Sequence, residues 1–127
     1  MHVLIVDDSR AMRRILKSVV HRLGFETSEA EDGLIGLEML RATSNVELVL
    51  VDWNMPNMDG LQFVEAVRSD DAFKNTKIVM VTSETEPSKM VRVLMAGADE
   101  FVMKPFTAEI LVGKLKLIGV PMTVPAV

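Results

Sequence analysis

At 127 residues the chain is sized for one domain, and 49 % apolar with 25 % charged residues is the balance of a globular protein rather than a disordered or fibrous one. A net charge of −4 with no Lys/Arg run leaves no footprint for gripping a phosphate backbone, so nucleic-acid binding is not expected. The absence of cysteine excludes disulfide frameworks and thiolate metal sites; no stretch has the length of a signal peptide or spanning helix, so a cytoplasmic protein without membrane contact is expected.

The first apolar run, Val3 to Val6, ends on Asp7 and Asp8. Asp8 or Ser9 is a candidate N-cap for a helix whose Met12, Ile15, Leu16, Val19, Val20 and Leu23 recur at the spacing of one apolar face, and Gly24 stops it. Glu26 to Glu29 is a weaker, polar strand pattern that reads as a sheet edge, followed by a helix from Asp32 to Ala42. Leu48 to Val51 is the next strand, and it ends on Asp52 and a proline-bearing polar loop. Asp59 with Gln62 forms a capping-box pattern, flanked by Met58 and Phe63 as a hydrophobic staple, opening a helix that runs to Ser69.

Ile78 to Val81 is a further buried strand, ending on Thr82 and Ser83. A helix from Pro87 to Ala96 places its proline in the first turn, where a missing N–H costs little. Phe101 to Met103 is a short last strand leading into Lys104 and Pro105, and Thr107 to Ile118 forms the final helix. A domain over 1–119 is expected, with 120–127, which holds two prolines and no charge, as a short tail.

Strict alternation of strands and helices predicts a single-domain α/β fold: five parallel strands, right-handed crossovers and helices on both faces. In such sheets ligands sit beyond the carboxyl ends of the strands. Asp7, Asp8, Asp52, Thr82 and Lys104 all fall there. Each alone has an ordinary reading as a cap, a turn residue or a solvated charge. Together they make a cluster in which like charges raise one another's pKa, and that asks for a cation. A hard divalent ion, Mg2+, bound by carboxylates and by phosphate oxygens answers the need. A carboxylate can then accept a phosphoryl group whose oxygens Mg2+, Lys104 and the Thr82 hydroxyl neutralise or bind.

The segments VDDS (6–9), MRRI (12–15), EDG (31–33), DWNMPNMDGL (52–61), VTSE (81–84), AGA (96–98) and KPFT (104–107) together resemble the two-component response regulator receiver domain, especially single-domain chemotaxis regulators. The resemblance implies a flavodoxin-like sheet of order 2-1-3-4-5. It makes Asp52 the phosphorylated residue, Asp7, Asp8, Asp52 and the Asn54 carbonyl the Mg2+ ligands, and Asp52, Thr82 and Lys104 the reacting group. Thr82 and Phe101 become the switch pair, with phenylalanine standing where many relatives carry tyrosine. The bond before Pro105 is expected to be cis, and Asn54 and Glu84 to tune dephosphorylation.

Partners implied by the resemblance are a histidine kinase, a phosphatase, and a flagellar switch protein or other effector docking on the fourth helix, last strand and fifth helix. Met90, Val93, Leu94, Met95, Ile110, Leu111, Val112, Leu115, Leu117 and Ile118 offer more apolar positions there than one buried stripe requires. A monomeric signalling protein is expected rather than a metabolic enzyme. Two other uses of the chemistry are a phosphorelay intermediate or phosphate sink outside motility, and an aspartyl-phosphate phosphohydrolase. The hydrolase calls for a second carboxylate two residues after the nucleophile, where Asn54 stands. A flavin carrier on this fold is disfavoured by acids in place of a Ser/Thr/Gly-rich phosphate loop after the first strand.

Overall fold

The structure is a computed structural model and describes residues 1–121. Strands β1 (His2–Val6), β2 (Glu26–Ala30), β3 (Val46–Val51), β4 (Lys77–Thr82) and β5 (Glu100–Met103) alternate with helices α1 (Arg10–Arg22), α2 (Gly33–Ala42), α3 (Gly60–Arg68), α4 (Pro87–Ala96) and α5 (Ala108–Leu117). The strands form one parallel sheet in the order β2-β1-β3-β4-β5, the order implied by the resemblance. The polar Glu26 strand is indeed at an edge, where one side needs no ladder partner and Glu26 and Glu29 are exposed.

Strands β1, β3 and β4 are buried on both faces, which accounts for their unbroken Val, Ile and Leu runs. Leu4, Val6, Val49, Val51, Ile78 and Met80 pack on the side of α2, α3 and α4, against Leu37, Leu40, Phe63, Val64, Val67 and Val93. The alternate residues Val3, Ile5, Leu48, Leu50, Val79 and Val81 pack on the side of α1 and α5, against Leu16, Val19, Val20, Leu111 and Leu115. A period of two in the strands thus feeds two separate helical layers.

Local signals set the helix ends. Ser9, not Asp8, caps α1 by accepting the Met12 N–H, and Gly24 follows with φ of 87°. Asp59 and Gln62 form the reciprocal capping box of α3. Glu86 takes the N-cap position of α4 without a side-chain hydrogen bond, so Thr82 is not its cap. Ile15, assigned to the apolar face of α1, is 49 % exposed because it lies at the margin of the stripe. A short 3-10 turn at Asp71–Phe73, opened by Asp70, has no counterpart in the periodicity. Val120 is buried in the α1/α5 layer, while 122–127 of the expected tail lie outside the described residues. Among the described residues no helix is long and apolar enough to cross a membrane.

Candidate functional site

The site is built by extending three strands one residue past their ends. Asp7 N–H donates to the Ala30 carbonyl of β2 at 3.1 Å, and Asp52 N–H to the Val6 carbonyl of β1 at 3.0 Å. Lys104 N–H donates to the Thr82 carbonyl of β4 at 2.9 Å. Parallel register therefore carries the chemistry-bearing side chains to one edge on a rigid base. Gly60 lets α3 start directly behind them: a Cβ at that position would collide with the Asp52 carbonyl oxygen. Only glycine permits that approach.

Lys104 Nζ lies 3.0 Å from Asp7 Oδ2 and 3.2 Å from Asp52 Oδ2, bridging β5 to β1 and β3. The second oxygens are also engaged: Asp7 Oδ1 accepts the Ser9 N–H at 2.8 Å, and Asp52 Oδ1 accepts the Trp53 N–H at 2.7 Å. Asp7 is 1 % exposed. Burial pushes its pKa up, against the opposing pull of the Ser9 N–H and Lys104. Asp8 is exposed, yet one carboxylate oxygen from each of Asp7, Asp8 and Asp52 lies within 4.8 Å of the other two.

One ammonium thus pairs with two carboxylates, and a third, Asp8, lies close to them, all hard oxygen donors at adjacent strand ends. The donor set suits a small divalent cation that keeps part of its water shell. Residues 3–116 match the family described as response regulator receiver domain. The chain belongs to that family. It is 43 % identical over 119 residues to chemotaxis protein CheY1 of Helicobacter pylori, covering 93 % of this chain and 96 % of that one. Chemotaxis protein CheY of Pseudomonas aeruginosa is 42 % identical, with 93 % and 95 % covered. The solved structure of Vibrio cholerae chemotaxis protein CheY4 superposes with a TM-score of 0.85 at 35 % identity, covering 92 % of this chain and 97 % of that one.

In this receiver domain Thr82 is fully buried, and its hydroxyl oxygen accepts the Glu84 N–H at 3.1 Å, leaving its hydrogen free of that bond. Glu84 itself turns to Lys89 at 2.9 Å and accepts the Thr85 and Glu86 N–H groups. The Lys89 ammonium, before those N–H groups, holds its carboxyl below the usual range. Asn54 is exposed on the loop two residues past Asp52. The Lys104–Pro105 bond is cis.

Phe101 is half-buried against the α2/α3/α4 layer, with Lys114 Nζ 5.5 Å from its ring centroid. On α4 and α5, Val91, Leu94, Met95, Ile110 and Leu117 are exposed, whereas Met90, Val93, Leu111 and Leu115 are core. Sequence reasoning found the carboxylates, the threonine and the lysine. It passed over the Ser9 and Trp53 amides, Gly60, and the Arg13 guanidinium, whose Nη1 donates to the Asp7 carbonyl at 2.7 Å. A glycine opening an otherwise strong helix start was the one available signal for Gly60.

Proposed function

We propose that this receiver domain is a stand-alone response regulator of chemotaxis, phosphorylated on Asp52 by a histidine kinase and acting through phosphorylation-dependent binding to a flagellar switch protein. The observation that carries the reading is the buried Asp52 carboxylate, with one oxygen 3.2 Å from Lys104 and within the same small cluster as Asp7 and Asp8. Chemotaxis is supported by relatives named as chemotaxis proteins that match this chain over nearly their whole length.

In the reaction an Asp52 oxygen attacks the phosphorus of phosphohistidine; the P–O bond forms as the P–N bond breaks, and the ring nitrogen keeps the electron pair. Asp7, Asp8, Asp52 and the Asn54 carbonyl would hold Mg2+, which when bound neutralises the phosphoryl oxygens. Lys104 offsets charge on the Asp52 side, and its two existing contacts fix the ammonium before the phosphoryl group arrives. Thr82 has a hydroxyl hydrogen to donate to a phosphoryl oxygen. Its movement would vacate space toward which Phe101 turns, altering the surface formed by α4, β5 and α5. Dephosphorylation is tuned by the groups at Asn54 and Glu84.

Affinity capture with and without beryllofluoride and Mg2+ tests the output. Recovery of a flagellar switch protein only with the activated form is the expected result. Equal recovery in both states contradicts switching, and recovery of a phosphotransfer protein in its place favours a relay outside motility.

A further inference from the structure

We infer that Arg13 is a positioning residue for the cation site, acting by fixing the peptide that joins Asp7 to Asp8; the inference rests on the Mg2+ site of the proposed function. Arg13 comes from α1, and its side chain is only 11 % exposed. Its Nη1 donates to the Asp7 carbonyl at 2.7 Å, while its Nε donates to Glu29 Oε1 of β2 at 3.2 Å. The guanidinium therefore ties α1 and β2 to the last peptide of the β1 extension.

The three carboxylates are not held alike. Asp7 and Asp52 each accept hydrogen bonds from a backbone amide and from Lys104. Asp8 is exposed, and among the described residues its carboxylate has no hydrogen-bond or ion-pair partner closer than 4 Å. Its place beside the other two is set by its backbone alone. The Asp7 N–H is fixed on Ala30, and the Asp7 carbonyl, in a residue 1 % exposed, has Arg13 as its donor. Without that donor the Asp7–Asp8 peptide is restrained from within its own turn only by the Ser9 N–H on Asp7 Oδ1, and any rotation of the peptide moves Asp8. Planar, two-pronged donation to a carbonyl and a carboxylate suits arginine and not lysine.

Charge and position predict opposite signs for the same variant. Through space, removing a positive charge beside the carboxylates tightens cation binding. Removing the brace on their geometry weakens it, by roughly 10-fold where such supporting hydrogen bonds have been cut. The experiment is a Mg2+ titration of the full chain, followed by calorimetry and by fluorescence of Trp53, its single tryptophan, whose amide donates to Asp52. Wild type, Arg13→Met and Arg13→Lys are compared under conditions where circular dichroism shows each folded.

The expected result is affinity lowered about 10-fold in Arg13→Met, with Arg13→Lys weaker than wild type although its charge is unchanged. Unchanged or tighter binding in Arg13→Met overturns the inference. Should Arg13→Met not fold, Arg13→Lys decides: weaker binding supports positioning, and wild-type affinity overturns it. A wild type that gives no Mg2+ signal by either method removes the metal-site reading itself, an outcome distinct from an Arg13 variant that binds as wild type does.

Discussion

At the carboxyl-terminal edge of the sheet, Asp7 and Asp52 have both side-chain oxygens engaged and are almost closed to solvent. On the face formed by α4, β5 and α5, Met95 and Leu117 stand 84 % and 72 % exposed, and a single lysine rests over the Phe101 ring. The first region is pinned atom by atom, as the proposed phosphoryl acceptor requires, since such a group must be held in line before its donor arrives. The second is apolar and adaptable, as suits the proposed role of a surface that meets a partner only in one state. Thr82 ends β4 at the first region and pairs with Met103 of β5, which belongs to the second, so the two regions adjoin.

If the edge is a charge cluster tuned for a cation, its one ammonium should matter most to the metal-free protein. Lys104→Met in chelator is expected to lower unfolding free energy by about 3 kcal/mol, since it leaves two buried carboxylates without their counter-ion. Adding Asp52→Asn to that variant should return part of the loss. Urea unfolding of the three proteins measures both, and a cost for Lys104→Met no greater than an ordinary surface change would break the contrast between the regions.

A smaller effect is expected where the edge is supported from outside. Asp32 caps α2 by accepting the Ile35 N–H at 2.9 Å, and accepts the Asn57 amide of the loop after β3 at 2.8 Å. The Ile35 N–H, then Asn57, hold its pKa below the ordinary 3.8. A carboxyl depressed by folding stabilises fully above its unfolded pKa, and the contribution is lost as pH falls through the folded one. Asp32→Ala should therefore cost about 1 kcal/mol at neutral pH, with the difference from wild type shrinking below 3.8. Denaturant midpoints across that range check the sign.

The smallest effect on stability belongs to the adaptable face. Met95→Ser should change unfolding free energy by less than about 0.5 kcal/mol, yet weaken binding of the effector to the beryllofluoride-activated protein. Calorimetric affinity set beside the unfolding midpoint sharpens the comparison; a large stability loss with unchanged binding would reverse it.

Much of the fold was legible because buried parallel strands advertise themselves: Leu48 to Val51 and Ile78 to Val81 are unbroken apolar runs that have nowhere to go but between two helical layers. Pro87 and the Asp59 box mark helix starts chemically, and the observed helices begin at those marks. Ile15 was misassigned because periodicity finds a stripe but not the width that its neighbours cover. At the site, side chains that terminate strands could be read, since the strand end is itself a signal. The amides of Ser9 and Trp53 could not, because every residue but proline carries that donor and only the fold aims it. Arg13 was read as part of a motif without a role, for its two partners lie on elements that only tertiary structure brings to α1.

Incubation with acetyl phosphate and Mg2+, followed by intact-mass measurement and peptide mapping, most directly tests the proposal that Asp52 is the acceptor. The predicted result is one phosphoryl group per chain, located on the peptide containing Asp52, absent without Mg2+ and absent in Asp52→Asn. No adduct on the wild type, or one that persists in Asp52→Asn, would contradict it.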